Sequence, residues 1–243
     1  MNINYVALAA LFSLFMSIRG IAAPLSICIV DIEKWGEEDK LTGEIKGVYP
    51  DLFNVFQKRS GVEAIRRLAP YPRVIESLNS GVCDISITLI ATGSNDIQTG
   101  SELYTIRRGV ISARDLPITQ YNQMRGLRVG VIRHAAVTAQ FDNDKNIEKL
   151  GSVKYRNLLN MLSLGRIDAV AGDIDIMYAI VETEPNLAPF AEPLVLSELP
   201  INFMMSRKSA YLVRFAEFDE LFLRLKEEGV VRKIVHEWLD TED

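Results

Sequence analysis

The sequence is poor in the residues that mark metal-binding and nucleic-acid-binding proteins. It has only two histidines, His134 and His236, and two cysteines, so no Cys/His cluster is available for a metal ion. It has no run rich in Lys or Arg, and its net charge of -5 argues against binding to DNA. The remaining composition, with 48% hydrophobic and 24% charged residues, excludes a disordered, collagen-like or coiled-coil chain.

The first 22 residues form a segment of a different kind. Residues 4–21 are almost wholly apolar, and the uncharged stretch 5–18 is too short for a membrane-spanning helix but has the length of a signal-peptide core. Cleavage between Ala22 and Ala23 would follow small residues and would remove Arg19, which leaves a mature net charge of -6. We therefore expect an exported, periplasmic protein; the alternative is an uncleaved anchor with Arg19 at its outer end.

The two cysteines are predicted to meet an oxidising environment if the protein is exported. Cys28 lies in the apolar run 25–30, and Cys83 directly precedes the apolar run 85–90. If these runs are neighbouring strands, a disulfide can form. Two separately buried thiols are an equally open alternative.

Short strand-like runs alternate with helical patterns along the rest of the chain. Helices that end at a glycine are predicted at 47–61 and from Pro72 to Gly81, and a long helical region is predicted from 209 to 239. This alternation is typical of α/β proteins with parallel sheets, and the length allows two lobes. The other predicted strands and helices are 25–30, 84–90, 127–132, 135–141, 153–155, 157–165, 167–173, 174–182 and the apolar run 201–205.

Several of these segments, in this order, resemble the family 3 periplasmic solute-binding proteins. The resemblance covers nearly all of residues 25–239 and rests on GVYPDLFNVFQKRSGV, NSGVCD, GLRVGVI, LSLGRIDAVAGD and EFDELFLRLKEEGVVRKIVHEWL. It implies the periplasmic binding protein type II fold, an α/β fold with two Rossmann-like lobes, a ligand cleft between them and two hinge crossings. The crossings are expected near 109–113 and 201–205. The implied division is a signal peptide at 1–22, a first lobe at 23–110 and 203–243, and a second lobe at 111–202.

The resemblance also implies a function. The protein is expected to be a monomeric receptor, without cofactor or catalysis, that captures a small polar solute by lobe closure. It would deliver an amino-acid-like solute or an amine to an inner-membrane ABC permease. One alternative is an enzyme on the same fold, such as a periplasmic dehydratase. Another is a ligand-sensing module for a separate membrane sensor.

In amino-acid binders of this family, carboxylates and an aromatic side chain hold the ligand's ammonium end. The matching positions here are Asp31 after the first strand, Trp35 in the following loop and Asp173 at the end of a second-lobe strand. Ligand contact is favoured for Asp173, although an Asp at this place also caps helices. Trp35 has packing on its own lobe as the alternative. Thr88 and Thr92 are added to the predicted ligand set.

The family's carboxylate-binding residues are not matched. The stretch 91–96 lacks the expected Arg, and after the second-lobe strand the chain reads His134-Ala135-Ala136, with Thr138 as the nearest hydroxyl. Arg73, at the start of a helix, is the preferred substitute for binding a ligand carboxylate. Its alternative is a solvated helix terminus.

A ligand without a carboxylate is the other solution. Asp31, Asp96 and Asp173 would then hold an amine or polyamine, with Tyr71 and Trp35 as aromatic faces for the cation. His134 is included as a ligand contact. The pair 107–108, two arginines near the first crossing, is interpreted as solvating the hinge rather than lining the cleft.

Overall fold

The computed structural model describes residues 23–90, 93–133, 135–184, 186–187 and 190–239. The predicted signal peptide at 1–22, and the predicted ligand residues Thr92 and His134, lie outside these described residues. Across the described ranges, no helix is long and apolar enough to cross a membrane.

Ten strands and seven α-helices make up the described part of the chain. The strands are β1 (Leu25–Val30), β2 (Glu37–Glu38), β3 (Ile45–Lys46), β4 (Ala64–Ala69), β5 (Ile85–Leu89), β6 (Ile97–Ser112), β7 (Arg128–Ile132), β8 (Glu148–Ser152), β9 (Ala169–Asp173) and β10 (Leu194–Ser206). The helices are α1 (Val48–Ser60), α2 (Tyr71–Ser80), α3 (Ala139–Asn143), α4 (Tyr155–Ser163), α5 (Ile174–Thr183), α6 (Phe215–Glu227) and α7 (Val230–Leu239).

Eight of the strands form one sheet in the order β4-β1-β5-β10-β6-β9-β7-β8. β1 is parallel to β4 and β5, and β7 is parallel to β8 and β9. These two parallel groups are the centres of the first and second lobes, and helices cover both. The predicted α/β fold with two lobes is confirmed.

The antiparallel strands β6 and β10 run through both lobes and connect them. β10 pairs with β5 over Ile201–Met205 in the first lobe, while β6 pairs with β9 over Arg108–Ser112 in the second. The neighbours of β6 therefore change at about residues 106–108, and those of β10 change at about 199–201. These positions lie slightly before the crossings that the resemblance implied. The structure places two extended segments side by side at the junction of the lobes.

An aromatic cluster attaches the C-terminal helices to the first lobe. Phe56 of α1 stacks on Phe222 of α6 with ring centroids 4.7 Å apart, and Phe218 meets Phe56 edge-on at 5.0 Å. All three rings are fully buried. Burial of such side chains stabilises the fold by about 1.5–3 kcal/mol each.

Cys28 and Cys83 form a disulfide, with Cα atoms 5.8 Å apart. Cys28 lies in the middle of β1, and Cys83 lies two residues before β5. Because β1 and β5 are paired at Ile27 and Ile85, the two cysteines come together. Of the two alternatives that the sequence left open, the structure has the bridge.

Some predicted elements differ from the observed ones. The predicted strand at 153–155 is wrong, since β8 ends at Ser152 and Tyr155 begins α4. The predicted helix at 135–141 is shorter and later, at 139–143. The long C-terminal helical region is divided into α6 and α7 by Gly229, whose φ of 76° interrupts the helix.

Candidate ligand-binding cleft

A cavity of about 520 Å³ lies where the two lobes meet at β6 and β10. It faces the carboxyl ends of β1, β5 and β9, which is where ligands bind in open α/β sheets. Most of its lining is aliphatic or aromatic, and the polar side chains are few. The lining residues are Val30, Ile32, Trp35, Tyr49, Tyr71, Thr88, Leu89 and Ile90 from the first lobe, Ile106, Arg108, Leu199, Pro200 and Ile201 from the crossing strands, and Ala135, Ala136, Val137, Thr138 and Asp173 from the second lobe.

Arg108 brings a positive charge to this cavity from β6. It is only 8% exposed, and its Nε has no hydrogen-bond partner among the residues that the structure describes. The neighbouring Arg107 points to the other side of the strand, where it pairs with Asp175 at 2.5 Å. Interpreting both arginines as solvating the hinge is therefore incorrect for Arg108. The alternation of side chains along an extended strand separates the two.

Asp173 lines the cavity and also caps helix α5. Its Oδ1 accepts hydrogen bonds from the backbone N–H groups of Asp175 and Ile176 at 3.1 and 3.2 Å. Burial, together with the Asp175 charge, raises the pKa of Asp173 to about 7, against the opposing effects of the cap hydrogen bonds and of Arg108. Of the two roles that the sequence suggested, the helix cap is present. Ligand contact stays a prediction, which the position of Asp173 in the lining allows.

Aromatic side chains form the first-lobe wall of the cavity. Trp35 is 2% exposed and packs against Tyr49 and Tyr104, with centroids 5.1 and 5.9 Å away. Its indole Nε1 is buried, and no described residue accepts a hydrogen bond from it. Tyr71 completes this wall. Trp35 therefore packs on its own lobe and lines the cavity as well.

Two threonines of the predicted set also reach the cavity. Thr88 lies on β5 and is buried, while Thr138 comes from the segment that precedes α3. The hydroxyl of Thr138 accepts a hydrogen bond from the backbone N–H of Phe141 at 3.1 Å, so it caps this short helix.

Three predicted ligand residues lie away from the cavity lining. Arg73 is directed to solvent from the first turn of α2; its side chain is 73% exposed and pairs with Glu76 at 3.3 Å. Asp31 is exposed at the end of β1. Asp96 pairs with Lys208 at 3.2 Å, at the far end of β6, roughly 30 Å of strand from the crossing. Among the described residues of the lining, the arginine is therefore Arg108 and not Arg73.

Sequence reasoning missed a contact between the lobes, made by Glu33. This first-lobe carboxylate is 7% exposed and accepts hydrogen bonds from the backbone N–H groups of Tyr155 and Arg156 at 2.5 and 3.3 Å. It thus caps the N-terminus of α4 in the second lobe. Burial raises the pKa of Glu33, while the two N–H groups and Lys154 oppose this. Nothing local in the sequence distinguishes Glu33 from the neighbouring acidic residues.

Within the described ranges, no group of three or more His, Cys, Asp or Glu side chains is placed to hold a metal ion. The polar groups of the described lining instead are one guanidinium, one carboxyl, two threonine hydroxyls, two tyrosine hydroxyls and an indole N–H. Such a set can bind and orient a small molecule by hydrogen bonds and charge.

No model of a known protein family matches the sequence, and no curated protein does. Solved structures do match. The GluR0 ligand-binding core from Nostoc punctiforme in complex with L-glutamate has a TM-score of 0.71 at 17% identity, covering 90% of this chain and 100% of that one. The amino acid ABC transporter substrate-binding protein AbpA from Streptococcus pneumoniae, bound to L-arginine, has a TM-score of 0.70 at 22% identity, covering 89% and 94%.

A histidine kinase sensor domain with similarity to periplasmic binding proteins also matches. Its TM-score is 0.72 at 16% identity, and the match covers 89% of this chain and 96% of that one. At these identities the likeness establishes the fold. The chain has the fold of the type II periplasmic binding proteins, as its resemblance to the family 3 solute-binding proteins implied.

Proposed function

We propose that the protein is a periplasmic receptor that closes its two lobes around one small solute. The observation that carries this proposal is the cavity of about 520 Å³ between the lobes, which both lobes and both crossing strands line. Its volume lies in the range of small-molecule sites, about 300–1,000 Å³. Two crossing strands allow the lobes to move as bodies about a hinge.

The proposal extends to export and delivery. Residues 1–22 act as a cleaved signal peptide, residues 23–110 and 203–243 form the first lobe, and residues 111–202 form the second. The closed monomer presents its solute to an inner-membrane ABC permease. The arginine-binding transporter component from Streptococcus pneumoniae supports this role by its fold. We expect the protein to be recovered from the periplasm. Its measured molecular mass should equal that of a chain that begins at Ala23.

A binding role is favoured over catalysis by the state of the acidic group in the cleft. Asp173 is committed to two cap hydrogen bonds with its Oδ1, which holds the start of α5. A general acid or base instead needs a carboxyl directed at a reacting atom. Recovery of every bound solute in chemically intact form is the expected result, and turnover would contradict this part of the proposal.

Signalling is a second candidate function. The match to a histidine kinase sensor domain of similar fold supports it. Under this alternative, the closed lobes contact a separate membrane sensor in place of a permease. Cross-linking in cells distinguishes the two, because it captures permease subunits in one case and a sensor in the other.

A thermal-unfolding panel tests solute binding itself. The protein purified from the periplasm is unfolded with and without amino acids, polyamines, monocarboxylates, dicarboxylates, quaternary amines and short peptides. A ligand at 100 times its dissociation constant adds about 2.7 kcal/mol of stability, which corresponds to a rise in Tm of about 5–10 °C. Absence of any rise across the panel would contradict the proposed receptor function.

A further inference from the structure

Two residues that line the cleft carry a buried hydrogen-bond donor for which the described part of the chain supplies no acceptor. The donors are the Arg108 Nε on β6 and the Trp35 Nε1 on the first-lobe wall, and both residues are more than nine-tenths buried. A guanidinium and an indole N–H can donate hydrogen bonds but cannot accept them. Since an unpaired buried donor is costly, a ligand that fits this cavity should bring acceptor atoms.

The charge of the cleft leads to the same conclusion. Within the described part of the chain, no carboxylate lies within ion-pair distance of the Arg108 guanidinium, whereas the adjacent Arg107 is paired with Asp175. The other charged residue of the lining, Asp173, uses Oδ1 to cap α5. The cavity therefore presents a guanidinium that has no ion-pair partner in the described part of the chain, on a mostly apolar wall, and the nearby Asp173 carboxyl offsets its charge in part. A guanidinium matches the paired oxygens of a carboxylate or a phosphate. Because Arg108 is the one cation among the described lining residues, a singly charged carboxylate fits better than a phosphate.

The rest of the lining determines the body of the ligand. Trp35, Tyr49 and Tyr71 supply aromatic faces, and aliphatic side chains such as Ile106 and Leu199 cover the opposite side. An amine would place a second cation beside Arg108. The ammonium of an α-amino acid would have to share Asp173 with the helix cap. A ligand that carries no ammonium group and is otherwise apolar neither places a cation beside Arg108 nor competes with the helix cap for Asp173.

We infer that the cleft selects a small monocarboxylate with an apolar aryl or branched-alkyl body, whose carboxylate pairs with Arg108. This inference rests on the proposed receptor function. It assigns the anion-binding role to a residue of the crossing strand, so that the ligand's charged end contacts the segment that joins the two lobes. Amines and polyamines are excluded as its preferred ligands.

Matched series of probes test the inference on the full chain, expressed with residues 1–22 and purified from the periplasm. One series is 3-phenylpropionate, L-phenylalanine and 2-phenylethylamine; the other is 4-methylpentanoate, L-leucine and 3-methylbutylamine. Within each series the apolar body is constant and only the charged groups differ. Dissociation constants are measured by titration calorimetry at pH 7. We expect the carboxylate to bind most tightly in at least one series and the amine to bind most weakly.

Variants then locate the carboxylate. Arg108→Met should weaken binding of the carboxylate by about 10- to 150-fold, and Arg108→Lys should weaken it less, because the charge stays while the two-pronged geometry is lost. Arg73→Met is the matched control, since that side chain is exposed and pairs with Glu76 outside the cavity. It should leave the dissociation constant unchanged. The wild-type series decides the question even if Arg108→Met does not fold.

The outcomes separate the inference from the function on which it rests. If, in every series that binds, an amine or an amino acid binds more tightly than its matched carboxylate, or if Arg108→Met binds the carboxylate as well as the wild type does, the inference is overturned and the receptor function stands. If none of the six probes binds, the inference is overturned. If in addition the broad thermal panel is silent, the receptor function fails as well.

Discussion

At the scale of single residues, two adjacent arginines on β6 have opposite environments. Arg107 reaches Asp175 on one side of the strand, while Arg108 lines the cavity on the other. The sequence could have predicted this difference only if the segment had been recognised as extended. The segment contains glycine and polar residues and therefore lacks the apolar pattern of a strand. Without that pattern, the sequence does not indicate that Arg107 and Arg108 point to opposite sides. The predicted ligand residues Asp173, Trp35, Tyr71, Thr88 and Thr138, by contrast, all line the cavity, although their contact with a ligand stays a prediction.

Replacing Arg107 tests its structural role. Arg107→Met leaves the Asp175 carboxylate, which is 2% exposed, without its ion-pair partner. Losing a partner of a buried charge is destabilising, but the Arg107 side chain is 48% exposed, so solvent reduces the effect. We expect the free energy of unfolding to fall by about 1–3 kcal/mol in urea titrations. Arg73→Met, the surface control, should change it by less than about 1 kcal/mol.

Asp173 predicts a pH dependence of stability. Its pKa of about 7 in the folded protein exceeds the ordinary value of 3.8 for an aspartate, so the folded protein holds this proton more tightly than the unfolded chain. The protonated Asp173 side chain therefore contributes to the stability of the fold. This contribution is fully present below about pH 4 and is lost as the pH rises to about 7. Asp173→Asn keeps a capping oxygen but removes the titration.

The variant should therefore gain stability relative to the wild type as the pH rises from 4 to 7, by up to about 4 kcal/mol. Urea titrations of both proteins at several pH values measure this difference. The nearby groups, Arg108, Asp175 and the hydroxyl of Tyr155, are the same in both proteins. A difference that does not change with pH would refute a raised pKa for Asp173.

At the scale of elements, the buried strands and the amphipathic helices are predictable from the sequence, whereas the strands at the edges of the sheet are not. β1 is buried at every residue, and α1 ends at Gly61, so hydrophobic runs and a terminal glycine were sufficient signals. β4 and β8 lie at the two edges of the sheet, where polar side chains such as Arg66 and Arg67 replace the hydrophobic run. β6 and β10 change surroundings along their length, so neither has one continuous pattern.

The disulfide between two elements is expected to stabilise the folded protein. It joins β1 to the turn before β5 across a sequence separation of 55 residues. The double variant Cys28→Ala/Cys83→Ala should lower the free energy of unfolding by about 2–4 kcal/mol, because the unfolded chain gains freedom. Differential scanning calorimetry measures the change. An unchanged Tm would argue that the bridge does not form in the purified protein, which a free-thiol assay checks directly.

At the scale of the whole molecule, two kinds of connection hold the lobes together. The crossing strands are covalent, and their pairing continues through the junction. The Glu33 cap on α4 is a separate contact that joins the two lobes. A contact of this kind favours the closed arrangement without blocking the cavity, and it depends on tertiary structure that no local sequence pattern encodes.

Removing this cap should shift the protein toward an open arrangement. Glu33→Ala leaves two N–H groups at the start of α4 without their carboxylate, a loss of about 0.5–2 kcal/mol. Ligand affinity should weaken by roughly 2- to 30-fold, and small-angle scattering should give a larger radius of gyration without ligand. Glu38→Ala, at an exposed position a few residues away, is the control. Equal radii for the two variants would contradict a closing role for Glu33.

The central claim is that a solute sits between the lobes with its anionic group on Arg108. A crystal structure of the protein with the tightest-binding carboxylate of the matched series tests it most directly. The account predicts a ligand enclosed in the cavity, with its carboxylate oxygens within hydrogen-bonding distance of the Arg108 guanidinium and its apolar body against Trp35 and Tyr71. A ligand bound elsewhere, or one that leaves Arg108 unpaired, would contradict the account.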